Sequence, residues 1–317
     1  MENKLHIDVS PHIETKRTTA GIMRDVIIAL LPALIAGTVI FGARALLVCA
    51  VTVGSAVIAE YAFSVVTKRN QTVGDFSAVV TGLLLGLNLH ADSPIWQCVL
   101  GSLFAIIVVK CLFGGIGQNF ANPAAAARVF LLVSFAGTIG GGAKPRLSSA
   151  PELVSGATPL SVISSGGELP SLKDMLLGLR GGAIGETCAI ALILGFAYLV
   201  IRRVIFFETP LIYVATVFSL SLIAFDSFKL ALYQTLAGGL VLGAVFMITD
   251  YSSTPITRGG KMIFAFGCGL ITFVIRYFGN YPEGVSFAIL IMNVLSPLIE
   301  GLTRERPFGG NLNEKAF

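Results

Sequence analysis

The chain has 317 residues, of which 55% are hydrophobic and only 13% charged, and its mean hydropathy is +0.83. Soluble domains carry about 25% charged residues, so the charges here are too few to coat a water-soluble globule, and lipid is the solvent such a surface suits. The net charge of +4 is small and the basic residues sit between apolar runs, which argues against a polyanion groove and excludes nucleic acid as a partner.

In chain order, residues 1–24 carry Glu2, Lys4, Asp8, Glu14, Lys16, Arg17 and Arg24 without an apolar core. They read as a cytoplasmic N-terminal segment rather than a cleaved signal, so the first apolar run is expected to be a retained span. Apolar runs follow at 25–41, 45–66, 76–90, 97–113 and 122–140, then at 183–201, 210–226, 231–249, 261–278 and 284–302. About 20 helical residues cross a bilayer core. The expected fold is therefore an all-α integral membrane protein with about ten transmembrane helices. The run at 76–90 is short and contains Gly82, Gly86 and Asn88, which suggests a helix broken inside the bundle. The five cysteines have no CxxC spacing and read as small apolar side chains, and no metal site is expected.

The chain resembles itself at an offset of about 160 residues: Gly82-Leu83-Leu84-Leu85-Gly86 recurs as Gly239-Leu240-Val241-Leu242-Gly243, with Pro94 and Pro255 after them. Two halves of five spans, 25–140 and 183–302, would run in opposite senses, as inverted repeats do in transporters. A cytoplasmic tail, 303–317, would close the chain. With both termini placed in the cytoplasm, fourteen basic residues fall inside: Lys4, Lys16, Arg17, Arg24, Lys68, Arg69, Lys110, Arg202, Arg203, Arg258, Lys261, Arg304, Arg306 and Lys315. Seven fall outside (Arg44, Lys144, Arg146, Lys173, Arg180, Lys229 and Arg276), and this bias selects that orientation. The longest hydrophilic stretch, 141–182, then faces outward; loops of that length are functional or linkers.

Within the loop stands Val154-Ser155-Gly156-Ala157-Thr158-Pro159-Leu160. Taken as residues alone, it is a turn: Gly156 permits unusual backbone angles and Pro159 extends Thr158. Ser155-Gly156-Ala157-Thr158 also resembles a flavinylation motif whose last threonine carries FMN through a phosphoester. Further similarity lies in Asp75-Phe76-Ser77-Ala78-Val79-Val80-Thr81-Gly82-Leu83-Leu84, in Gly117-Gln118-Asn119-Phe120-Ala121-Asn122-Pro123-Ala124, in Thr249-Asp250-Tyr251-Ser252-Ser253-Thr254-Pro255-Ile256-Thr257 and in Arg306-Pro307-Phe308-Gly309. Together these resemble the RnfD membrane component of the ion-translocating Rnf electron-transport complex (the NqrB/RnfD family) over nearly the whole chain.

The resemblance implies a flavoprotein, and through its phosphoester a phosphoprotein, in a bacterial or archaeal cell (inner) membrane. It implies covalent FMN on Thr158, with Ser155, Gly156, Ala157 and Pro159 around it, and it admits a second, non-covalent flavin, riboflavin. The implied function is a translocase subunit that passes electrons between ferredoxin and NAD and couples this to Na⁺ or H⁺ movement. Such a subunit would not act alone. Its partners would be the other membrane and peripheral subunits, a flavin transferase for maturation, and the bilayer. The competing reading is a small-solute channel or transporter of the inverted-repeat type, since fold does not settle function.

Three polar residues are candidates for the ion path or for flavin contact: Asp250, Arg128 and Asn122. Each has a plainer reading. Asp250 would cap the loop after the eighth run, Arg128 would snorkel to the inner surface, and Asn122 would cap the helix it precedes. Gly114-Gly115-Ile116-Gly117 lacks the preceding strand of a nucleotide loop and is rejected as one.

Overall fold

A computed structural model of the chain describes residues 17–143, 145, 160, 171–279 and 283–304. Among the described residues every regular element is helical, and one isolated bridge joins Ala143 to Gly182. The first half holds α1 (Thr19–Phe41), α2 (Ala43–Val66), α3 (Ser77–Asn88), α4 (Ile95–Cys111), α5 (Pro123–Ser134) and the short α6 (Ala136–Ile139). After α7 (Leu172–Leu177), the second half holds α8 (Ala189–Ile201), α9 (Glu208–Phe225), α10 (Phe228–Leu236), α11 (Leu240–Met247), α12 (Arg258–Phe278) and α13 (Val285–Thr303).

Each predicted run contains a helix, but among the described residues only five helices are long and apolar enough to cross a membrane by length and composition: α1, α2, α9, α12 and α13. The pair α10 and α11, bent by 62°, makes a sixth if taken as one span. The remaining apolar helices α3, α4, α5 and α8 have 10–17 residues. Large apolar side chains point away from the bundle on several helices, with Ile201 79% exposed and Phe278 76% exposed. Water would penalise such faces and lipid does not.

The short helices have local causes. In α3, Gly82 and Gly86 face α2 so closely that a Cβ on Gly82 would lie 2.7 Å from the Val53 Cα, and one on Gly86 3.0 Å from the Cys49 Cα. Missing side chains thus let two backbones touch, as small residues do between membrane helices. α3 stops at Asn88, and its end is closed from the other half of the chain: Ile184 N–H donates to Leu89 O (2.9 Å) and Gly185 N–H to Leu87 O (2.8 Å). These bonds satisfy carbonyls that a helix end leaves open. They also hold the stretch before α8 out of helix, so the predicted run at 183–201 becomes helical only from Ala189.

The run at 231–249 breaks between α10 and α11, where Gly238 takes φ +66°, a conformation that glycine adopts without strain. Consequently the two glycine pairs stand differently: Gly82 and Gly86 lie inside one continuous helix, whereas Gly239 and Gly243 sit just beyond the bend, at the start of α11. Among the described residues two segments are π-helical, Phe104–Cys111 within α4 and Gly243–Met247 within α11. Such bulges recur at functional sites.

α1 begins at the same end of the bundle where α2, α4, α8 and α13 finish, here termed the near end. Contacts there tie the halves together. Arg17 donates to Arg203 O (3.1 Å) and Tyr198 Oη to Asp25 Oδ1 (2.9 Å), while within the second half Arg258 pairs with Glu208 and the Thr257 and Thr303 hydroxyls bond each other (2.7 Å).

Candidate functional site at the near end

A cavity opens at the near end. Its walls come from both halves: Ser77 and Thr81 of α3, Lys110 of α4, Asn119 and Asn122 before α5, Phe246 of α11, and Thr249 to Ser252 beyond it. Lys110 and Phe246 come from the two π-helical segments, so both bulges face one space. A second hollow adjoins it, sharing Ile22, Val204 and Tyr251, with charged walls of Arg17, Arg24, Asp25 and Arg202. Tyr251 Oη donates to Val204 O where the two meet.

Of the predicted candidates, Asn122 and Asp250 line this cavity and Arg128 does not. Asn122 acts as the α5 cap: its Oδ1 accepts from Ala124 N–H (3.0 Å) and Ala125 N–H (3.1 Å). Its own N–H donates to Asn293 Oδ1 (3.0 Å), and Asn293 Nδ2 donates to Ser253 O (2.9 Å), which locks α5, α13 and the 250–254 loop into one register. Asp250 organises that loop, accepting from Ser253 Oγ (2.9 Å) and Ser252 Oγ (3.2 Å). Burial raises its carboxyl above the ordinary carboxylate range, and the two hydroxyls pull it back. The capping readings of both residues therefore account for their bonds.

Arg128 is 1% exposed and does not snorkel. Its Nη2 donates to both carboxylate oxygens of Glu283, each at 2.9 Å, at the far end of the bundle. Around this pair lie Arg180, whose Nη2 donates to Glu186 O (2.9 Å) and Leu236 O (2.7 Å), and Arg276, whose Nε donates to Glu283 O (3.0 Å). Arg128 thus closes the interface between the halves, far from the cavity.

The residues Thr158, Ser155, Gly156, Ala157 and Pro159 lie outside the described residues. Leu160, two positions beyond Thr158, is described and buried with Met175, Tyr233 and Ala237. The chain just past the motif is therefore held on the far end, against the α10–α11 bend.

Two features escaped the sequence reading. Asn119 Oδ1 is buried in the cavity wall without a hydrogen-bond partner. Lys110 and Glu60 form a buried ion pair (2.7 Å), 2% and 1% exposed. The available signal was that each is a lone charge within an apolar run, where ionisable residues are expensive and functional by default. Among the described residues no cluster of three metal-ligating side chains occurs.

A family model described as "NQR2, RnfD, RnfE family" matches residues 6–309. The chain is 46% identical over 312 residues to the D subunit of the Na(+)-translocating ferredoxin:NAD(+) oxidoreductase complex of Acetobacterium woodii, covering 97% of this chain and 96% of that one. It is 37% identical over 322 residues to the D subunit of the proton-translocating ferredoxin:NAD(+) oxidoreductase complex of Clostridium ljungdahlii, covering 97% of each. It is 38% identical over 329 residues to the D subunit of the ion-translocating oxidoreductase complex of Stutzerimonas stutzeri, covering 93% of each.

Proposed function

Since the chain belongs to the NQR2, RnfD, RnfE family, we propose that it is a multi-pass membrane subunit of an ion-translocating ferredoxin:NAD⁺ oxidoreductase complex and carries flavin for it. Its relatives' names supply the complex and the ion coupling. The chain has little described surface outside its apolar helices on which a ferredoxin or nicotinamide site could be built, so it works with the other membrane and peripheral subunits. The sequence Ser155-Gly156-Ala157-Thr158 supports covalent FMN on the Thr158 hydroxyl, attached by a flavin transferase.

A second, non-covalent flavin, riboflavin, suits the near-end cavity, and the observation that carries this reading is Asn119. A flavin's pyrimidine edge alternates carbonyl acceptors with an imide N–H. A buried amide with an unpartnered Oδ1 can accept from that N–H while its Nδ2 donates to a neighbouring carbonyl. The apolar part of the wall, with Ile22, Val26, Leu84, Leu199 and Phe246, suits the dimethylbenzene half of the ring. A bound flavin would supply one- and two-electron transfer; the residues named bind it, orient it and exclude water.

Replacing Asn119 with Leu should remove the non-covalent flavin and leave the covalent one. The measurement is the flavin released on denaturing the purified complex, set against the flavin that stays with this chain. Retention of all releasable flavin by Asn119→Leu would overturn the assignment of the cavity.

The positive bias of the near-end segments supports both termini in the cytoplasm and the loop 141–182 outside. Cysteines introduced at Ser148 and Ser165 should then react with an impermeant thiol reagent in intact cells. Labelling that appears only after lysis would reverse the orientation.

A further inference from the structure

We propose that Lys110 biases the near-end cavity toward a ligand that has gained negative charge, so that reduced flavin is held more tightly than oxidised flavin. The proposal rests on the reading that a flavin occupies this cavity.

The geometry begins with the π-helical turn that ends α4. It carries Lys110 into the cavity wall while leaving the side chain 2% exposed. The ammonium donates to Glu60 Oε1 (2.7 Å) and Ser77 Oγ (2.6 Å). An ammonium has three N–H donors, so one remains. Of the two acceptors, Ser77 lies in the wall beside it and Glu60 behind it. Glu60 belongs to α2 and is not part of the wall, and its Oε1 also accepts from Thr72 Oγ1 (2.7 Å). The Ser77 hydroxyl in turn donates to Asp75 Oδ1, which also accepts from Ser77 N–H (2.7 Å), in a turn where Phe76 takes φ +63°. The pair is therefore a fixed dipole with its positive end at the cavity and its negative end in the helix packing.

The other carboxyl in the wall, Asp250, is pushed toward its neutral form by burial. The Asp250 carboxylate accepts from Ser252 and Ser253 of its own loop. Reduction of free riboflavin by two electrons with uptake of one proton leaves one negative charge on the pyrimidine half of the ring. Asn119, which matches that half, lies in the same wall as Lys110. A cation facing an added charge in a dry wall acts much more strongly than in water.

The test uses the full chain in lipid nanodiscs and equilibrium dialysis of radiolabelled riboflavin, oxidised and, anaerobically, dithionite-reduced. Removing Lys110 alone would strand Glu60 as a lone buried charge. The informative variant is thus the double substitution Lys110→Gln with Glu60→Gln, beside Lys110→Arg. The double variant should bind oxidised riboflavin within about threefold of the native chain and reduced riboflavin at least about tenfold more weakly. For a two-electron couple that tenfold ratio is about 30 mV toward more negative potential. Lys110→Arg keeps the charge and should keep most of the preference.

Equal weakening of both forms would mean that the pair only shapes the wall, and would overturn the proposal, as would no change in either. If the native chain bound neither form, the flavin reading of the cavity would fall with it. Binding of both forms without a preference in the native chain would overturn the charge bias alone.

Discussion

Thr158→Ala is expected to leave the purified chain dark under ultraviolet light after denaturation, while the native chain fluoresces. The substitution removes the oxygen that would bear the phosphoester and touches none of the apolar helices, so insertion and assembly should continue. Denaturation strips any loosely held flavin, so the remaining signal reports the covalent bond. Thr158→Ser keeps the oxygen and should retain part of the signal. Peptide mass spectrometry then locates the added mass. Equal fluorescence from the native chain and Thr158→Ala would move the attachment elsewhere. A dark native band with the transferase co-expressed would remove the covalent flavin from the proposed function. Leu160, two positions beyond Thr158 in the sequence, is buried against Tyr233 and Ala237.

Glu283→Leu should be the most damaging substitution at the far end. It leaves the Arg128 guanidinium, 1% exposed, without its bidentate carboxylate. Breaking a buried pair in this way costs about 3–5 kcal/mol, whereas exchanging both partners for apolar residues is often neutral. The expected result is a chain that loses its flavins and aggregates on detergent extraction, with recovery in the double variant Arg128→Leu with Glu283→Leu. Size-exclusion profiles and thermal melts read both. If the double variant behaves no better than the single one, the pair matters for something other than charge compensation.

How far the sequence reached depends on where each feature's cause lies. Hydropathy is local, so the apolar runs found every long helix. The breaks have distant causes. The late start of α8 comes from backbone bonds to Leu87 and Leu89, about a hundred positions earlier, and nothing in Ala183 to Cys188 announces them. The α10–α11 bend has a visible glycine pair, but the same pattern runs unbroken in α3 because there it faces Cys49 and Val53. The capping roles of Asn122 and Asp250 were legible because their partners sit within a few residues. The pairing of Glu60 with Lys110 and of Arg128 with Glu283 was not, because each joins positions far apart in the chain. Asn119 was visible as a residue before a helix, but not as an unpartnered acceptor in a cavity wall. The Thr158 motif was legible by resemblance, and its geometry falls outside the described residues.

The shortness of α3 has an electrical consequence. Its 12 residues rise about 18 Å, well under the roughly 30 Å of a bilayer core. One end borders the cavity and the other abuts the extended segment at Ile184 and Gly185. If water or counter-ions reach the mouth of the cavity from one side and the polar far end from the other, the membrane voltage falls mainly across this thin waist. A charge moved along α3 would then traverse most of the potential, worth about 2.3 kcal/mol per charge at 100 mV, over a shorter distance than the membrane's own thickness. Electron transfer along this line would itself be a voltage-dependent step, slowed or driven by the gradient that the complex maintains.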